Sequence, residues 1–407
     1  MIGYDVWRVL PTGPRVLCGT LACTVPESHG RFRAEFAYAP DYPAAGHGAL
    51  EPIHLPLRTA ASWQSEQFYS PLAVFEDALP DAWGRELMRR LLPRATTGAP
   101  YLLGLLGDDG IGALRFTRRP ESEAPPPLPL PAAPATLAEL VSTARALEAR
   151  RPVARAALAR VLAAGRTPGG ARPKALSDDA GLRWIAKFPS AVLDEGLDIV
   201  GLEAATLTAA TAAGLSVPPH RLRPVGRRRV LLVQRFDVLG AAHAGRAHMV
   251  SLKSLCGVRA GVEAASYDEL AAALRRASAR PREDVAALFR LALFNAAVGN
   301  TDDHAKNFWM LDAGAGWRLA PAFDLLPDTG RRGEHALAIG LHPRVPDAAG
   351  WRALARAWGV AEVEAIVDSV LAAVRDWPAQ ARAAGVPAEQ IAEFRRDQAR
   401  RMKAILA

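Results

Sequence analysis

Cysteine is scarce: Cys18, Cys23 and Cys256 are the only three in 407 residues. An odd count with no second pair at metal-ligand spacing leaves neither a disulfide framework nor a structural zinc site to organise the fold. Packing in apolar surroundings is the expectation for the thiols, and a reducing cytoplasm the expected compartment. No stretch reaches the roughly 18 uninterrupted apolar residues of a transmembrane helix. The opening "MIGYDVWRVLPTGPRVLCGTL" has no basic start followed by a long apolar run, so no signal peptide is expected. A concentrated basic tract is missing as well. The net charge is +8 and the pI about 9.8, but the densest run is "GRRRV" at 226–230, between apolar stretches, as in a hairpin turn with solvated arginines. Direct nucleic-acid binding is therefore not the expected main function, while contact with an acidic partner stays open. Half of the residues are hydrophobic and 23% charged, enough to bury a large core in two or three domains.

What is present falls into textures. "RVLCGTLACTV" and "RFRAEFAYA" read as strands, and "PLAVFEDALPDAWGRELMRRLL" as helical. The Pro-rich "RRPESEAPPPLPLPAAPA" is a linker or long extended loop. Helices follow, the first with Thr136 as N-cap and Glu139 three residues on. "TPGGARPKALSDDAGLRWIAKFPS" reads as strand, turn and strand, "GLEAATLTAATAAGL" as a helix ending at Gly214, and "HRLRPVGRRRVLLVQRFDV" as a hairpin leading out through Phe236. From about residue 245 the periodicity is helical almost to the end. A small β-rich lobe before a larger helical one is the layout of a two-lobed ATP-binding enzyme.

The densest polar cluster, "GNTDDHAKN" at 299–307, lies between apolar "LFNAAV" and "FWML". Four residues separate Asp302 from Asn307, the spacing of a kinase catalytic loop, in which the aspartate accepts the attacking hydroxyl's proton and the asparagine holds magnesium. Counting from Asp303 leaves only three. "PAFDLLPD" supplies a downstream carboxylate, Asp324, after the strand-like "WRLA". "LRWIAKFPS" supplies Lys187 late in an alternating strand, and "GGARPKAL" a glycine-bearing turn able to lay backbone amides on phosphate. Each element also has a plainer reading. Asn300, Thr301 and Asp302 read equally as caps of a following helix, and Lys187 as a strand-end lysine reaching water.

Together these blocks resemble the HipA-like serine/threonine kinases, the toxins of bacterial toxin–antitoxin pairs. "FNAAVGNTDDHAKNFWML" with "LAPAFDLLP" is similar to the family signature; "GGARPKAL", "WIAKFPS" and "LLVQRFDV" are similar to three further blocks in the same order. "FYSPLAVFEDALPDAWGRELMRRLL" and "YLLGLLGDDGIGALRF" resemble the family's amino-terminal domain. The resemblance implies an α+β, two-lobed protein-kinase-like fold: a β-rich N-terminal subdomain over 1–118, a Pro-rich linker over 119–135, a small ATP-binding lobe over 136–240 and a mostly helical catalytic lobe over 241–407. It implies Asp302 as catalytic aspartate, and Asn307 and Asp324 as magnesium ligands. His304, Ala305, Lys306 and Asn307 would contact nucleotide or metal, and Phe323 would precede the metal-binding Asp324. Lys187 matches the phosphate-binding lysine, and Ala171, Arg172, Pro173, Lys174, Ala175 and Leu176 match the phosphate loop. Gln234, Arg235 and Phe236 match the hinge that receives adenine, and Glu203 is placed either to pair with Lys187 or on a helix surface. Some family members carry a serine in the phosphate loop whose autophosphorylation shuts the enzyme off. Here Gly169 or Gly170 stands there, with Thr167 the nearest hydroxyl and Ser177 further along.

The resemblance thus implies a cytoplasmic kinase using ATP and Mg²⁺ on a serine or threonine of a host protein, such as an aminoacyl-tRNA synthetase or another translation factor. The implied inhibitor is a HipB-like DNA-binding antitoxin, with DNA met only through it and no membrane. A small-molecule kinase and a catalytically weak antitoxin-binding or corepressor module are the alternatives.

Overall fold

Alternating apolar residues lay down the first sheet. Ile2, Tyr4 and Val6 on strand Ile2–Val9, and Cys18, Leu21 and Cys23 on strand Arg15–Cys23, are buried. These strands pair antiparallel in a five-stranded sheet, with Leu114–Arg118 outside the first and Ala34–Tyr38 and then Ser62–Gln64 outside the second. All three thiols are unpaired, Cys18 and Cys23 within the core. The computed structural model describes the chain except residues 59–60, 66–69, 93–97, 124–134, 166–169, 171, 191, 195, 241–242, 258–265, 329–333 and 341–344, and only the backbone of Leu91 and Gly165. Most of the Pro-rich segment, with Thr167, Gly169 and Ala171, lies outside the described residues.

The stretch read as one helical segment after Ser70 is two helices, Ala73–Asp77 and Ala82–Leu91. Pro80 lies between them; it has no N–H to donate and pushes its predecessor out of helical geometry. Thr136 and Glu139 form the expected capping box of helix Leu137–Glu148.

The middle lobe is a four-stranded antiparallel sheet in the order Lys174–Asp179, Leu182–Lys187, Arg228–Gln234, His220–Val225. Its first register pair sets Lys174 opposite Lys187. Helix Ile199–Ala212, started by Asp198 accepting the Gly201 amide, is almost wholly buried between this sheet and the helical lobe. The chain leaves it through Gly214 at φ +80°, a backbone conformation that glycine adopts freely.

Helices Tyr267–Ala277, Pro281–Val298, Ala348–Trp358, Val363–Ala383 and Ala388–Leu406 make up the last lobe, with Trp351 and Trp377 fully buried. The expectation of helix from about residue 245 onward needs correction. A three-stranded sheet, His248–Ser251, Trp309–Asp312 and Arg318–Leu319, sits at the lobe's entrance. Strands of four, four and two residues are too short to display an alternation, although the last falls in "WRLA", which read as strand-like. The α+β two-lobed architecture is otherwise as expected. Among the described residues no helix is long and apolar enough to cross a membrane.

Candidate active site

Helix Pro281–Val298 ends on Gly299, at φ +84°, and the chain turns sharply into the polar cluster. Asn300 is tied back to the helix, its amide to the Asn295 carbonyl at 2.9 Å and its Nδ2 to Asn295 Oδ1 at 3.0 Å. From there burial alternates: Thr301, Asp303 and Ala305 are inside, Asp302 and His304 outside. Asp303 accepts from Tyr267 Oη at 2.6 Å, His335 Nδ1 at 2.8 Å and the Ala336 amide at 3.0 Å. Its neighbour Asp302 lines a cavity of about 420 Å³ between the two lobes. The extended loop ends in a single 3₁₀ turn, Ala305–Asn307, whose N-cap residue is His304 and makes no side-chain cap bond. Asn300, Thr301 and Asp302 thus cap no helix. Asn307 Nδ2 donates to the Asp302 carbonyl at 2.9 Å, closing the loop on itself.

Across the cavity, Lys187 donates to Asp324 Oδ1 at 2.7 Å and also pairs with Glu203. The sheet register explains the need for two carboxylates. Lys174 and Lys187 lie directly opposite on one face, an arrangement that repels unless neutralised. Burial disfavours the Lys187 charge, but Asp324 and Glu203 outweigh it and hold the ammonium above the usual lysine range. Lys187 in turn holds the Asp324 carboxyl well below the usual carboxylate range. Lys174 gains less compensation, and burial brings it down to about 8. Asp324 adopts φ +57°, uncommon outside glycine, which is a sign that its surroundings fix its direction. Arg172 borders the same end, held by Asp194 at 2.9 Å. Lys306 does too, paired with Asp81 of the N-terminal unit.

The other end of the cavity is apolar. Ile111, Phe236, Met249, Trp309 and Phe323 cluster there, with the Phe236 and Phe323 rings 6.0 Å apart, and Ile185, Val200, Val233 and Leu326 add apolar lining to the cavity. Gln234, Arg235 and Phe236 form its rim. The Gln234 and Arg235 amides donate to the Pro219 and Arg183 carbonyls, each at 2.9 Å. The Arg235 guanidinium is engaged by Asp237 and by the carbonyls of Asp109 and Gly110. Chemically, one end suits a flat apolar ring, and the other offers Arg172, Lys174, Lys187 and Lys306 to a polyanion. The hard oxygens of Asp324 and Asn307 there fit a small divalent cation that completes its shell with phosphate and water.

Of the residues singled out in the sequence, Arg172, Lys174, Lys187, Gln234, Arg235, Phe236, Asp302, His304, Lys306, Asn307, Phe323 and Asp324 border this one cavity. Pro173, Ala175, Leu176 and Ala305 are buried and do not border it, although Pro173 accepts the Phe188 amide at 2.9 Å. Glu203, left open between a lysine partner and a surface residue, is buried and pairs with Lys187. Asp81, Ile111 and Asp328 also line the cavity and were not foreseen. Ile111 lies in the "GDDGIG" stretch, whose glycines were the available signal. At Gly170 the backbone is at φ +103°, and a Cβ would lie 2.1 Å from Lys174 Nζ, so serine does not fit there in this conformation.

A model of the HipA-like C-terminal domain matches residues 167–377, and one of the HipA N-terminal domain matches residues 16–117. The chain belongs to the HipA-like family. The Sinorhizobium fredii protein Y4mE is 33% identical over 211 residues, a match spanning 47% of this chain and 48% of that protein's length. The HipA chain in a Shewanella oneidensis HipA, HipB and operator DNA complex superposes with a TM-score of 0.68 at 18% identity, covering 98% of this chain and 96% of that one. That likeness gives this protein the HipA fold. A Helicobacter pylori kinase, CtkA, reaches a TM-score of 0.42 at 14% identity over 58% of this chain and 90% of its own, too slight to bear on the argument.

Proposed function

We propose that this HipA-like protein is an ATP- and Mg²⁺-dependent kinase that transfers the γ-phosphoryl group to a serine or threonine hydroxyl of another protein. The single observation that carries the reading is the meeting of Asp302 and Asn307 with the Glu203–Lys187–Asp324 group across one cavity. Family membership supports it, as does the name of the matching relative, "Putative kinase Y4mE". In this reading the apolar end takes adenine, with Phe236 and Phe323 near its ring. Lys187 and Lys174 hold the phosphates, and the depressed Asp324 carboxyl stays ionised at any working pH. Asn307 and Asp324 would hold the magnesium, which supplies charge neutralisation for the transferring phosphoryl group. Asp302 takes the acceptor hydroxyl's proton, and its exposure, with that of His304, suits an acceptor carried by a macromolecule.

The biological role follows the same line: a growth-arresting toxin restrained by a HipB-like DNA-binding antitoxin, by analogy with the Shewanella complex, in which HipA is assembled with HipB and operator DNA. Aminoacyl-tRNA synthetases and other translation factors are the first substrates to try, in the cytoplasm. The test incubates purified protein with radiolabelled ATP, Mg²⁺ and a cytoplasmic extract, beside an Asp302→Ala control. A labelled extract band, absent with the variant, supports the reading. Nucleotide binding without transfer to any protein shifts it toward a small-molecule acceptor, and no nucleotide binding at all removes it.

A further inference from the structure

One carboxylate at the phosphate end of the cleft comes from the N-terminal unit. Asp81 precedes helix Ala82–Leu91, where an aspartate ordinarily caps its own helix. Asp81 makes no such bond. Its Oδ1 pairs with Lys306, and its Oδ2 accepts the Gly170 amide at 2.7 Å. Two residues on, the Trp83 amide donates to the Gly170 carbonyl at 3.2 Å, and the Trp83 indole donates to the Lys174 carbonyl at 3.0 Å. One turn of the N-terminal unit therefore grips the glycine turn ahead of strand Lys174–Asp179 and, through Lys306, the loop that carries Asp302 and Asn307.

The pair faces the cavity, with side-chain exposures of 25% for Asp81 and 28% for Lys306. A lysine stem is flexible, and ordering it costs rotamer entropy. Left alone in a solvated cleft, Lys306 would spread over many positions. Burial works against the Asp81 charge, but Lys306 and the Gly170 amide overcome it and hold the carboxyl below its ordinary range. The Asp81 carboxylate is thereby favoured as the charged partner of this latching pair.

We propose that Asp81 is a positioning residue for phosphoryl transfer: it fixes Lys306 beside Asp302 and Asn307 and holds Gly170 over the phosphates, so the N-terminal unit completes the site. This rests on the kinase reading above. Misplacement of catalytic groups by about 1 Å can cost on the order of 10²-fold in rate, and two groups acting as one device lose little more when both are removed than when either is.

The test uses the full chain with Asp81→Asn, Lys306→Met and the double variant, followed by transfer kinetics, melting temperature and hydrogen exchange over residues 170–179. Each single variant is expected to lower kcat by about 10- to 100-fold with melting within a few degrees of wild type. The double variant should be no slower than the worse single, and exchange over 170–179 should quicken in Asp81→Asn. Asp81→Glu, which keeps the charge, should recover part of the rate and covers the case in which Asp81→Asn fails to fold. Losses that multiply in the double variant overturn the proposal. If wild type transfers no phosphate, the kinase reading fails by itself. Exchange then decides the latch: faster exchange in Asp81→Asn keeps it, unchanged exchange overturns it.

Discussion

At one end of the cleft, Arg235 and Asp237 form a pair whose side chains are 1% and 5% exposed; at the cationic end, Lys187 faces an Asp324 that is 45% exposed. The first pair is saturated from within. Arg235 binds Asp237 through two nitrogens, at 2.6 and 3.0 Å, and spends the rest on the Asp109 and Gly110 carbonyls, while Asp237 takes the Gly112 amide at 2.8 Å. That pair is a brace between the N-terminal unit and the middle lobe. The second couples a lysine to two acids and leaves one of them open to the cavity, so its charge remains available to something that arrives. The first pair's hydrogen bonds close on the protein, and the second pair's leave a carboxylate facing open space.

Three substitutions would undo this contrast if it is wrong. The greatest change should be in stability, at the closed end. Asp237→Asn leaves a buried guanidinium uncompensated and should cost about 3–5 kcal/mol, read by urea unfolding. A loss within experimental error would mean that the pair is no brace. Next, Gly170→Ser forces a side chain into left-handed backbone against Lys174, at about 1–3 kcal/mol. It should weaken nucleotide binding measured by calorimetry, and unchanged affinity would show that the turn readily adopts another conformation.

The mildest change is in the response to pH. Burial brings Lys174 from its ordinary 10.5 to about 8, so the ligand-free fold holds this proton less tightly than the unfolded chain does. The unfolded chain then binds more protons between about pH 8 and 10.5, and this group's contribution makes the apo protein more stable as pH rises through that window. Binding of a polyanion runs the other way, since it needs the proton. Nucleotide affinity should fall from pH 7 to pH 9 by at most about tenfold, because one unit above its pKa only about a tenth of the group is charged. Lys174→Met should flatten that dependence, and an equally steep profile in the variant would place the titration elsewhere.

The contrast also explains what could be read in advance. Asp302, Asn307, Lys187 and Asp324 each sit in a short block whose chemistry is local, and the order of the blocks carried them to one cavity. The choice of Asp302 over Asp303 rested on spacing and on the family resemblance; in the structure Asp302 is exposed and Asp303 buried. Asp81 was invisible because it looks like a helix cap, and its partner is 225 residues away. Pro80 split a helix that apolar periodicity had joined. Of the small sheet around Trp309–Asp312 only the strand-like "WRLA" was read; its other two strands were missed because hydrogen bonds, not side-chain pattern, define them. Arg235 was read as part of a hinge that works through its backbone; its side chain belongs to the brace, which leaves that reading untouched.

The kinase reading gives two adjacent aspartates different work, and the transfer rates of Asp302→Asn and Asp303→Asn, taken beside their melting temperatures, measure that division. Asp302→Asn should fold as wild type and lose on the order of 10² to 10⁴ in rate. Asp303→Asn should melt several degrees lower, because Tyr267, His335 and the Ala336 amide lose a charged acceptor. An Asp302→Asn protein that still transfers phosphate at the wild-type rate would contradict the account.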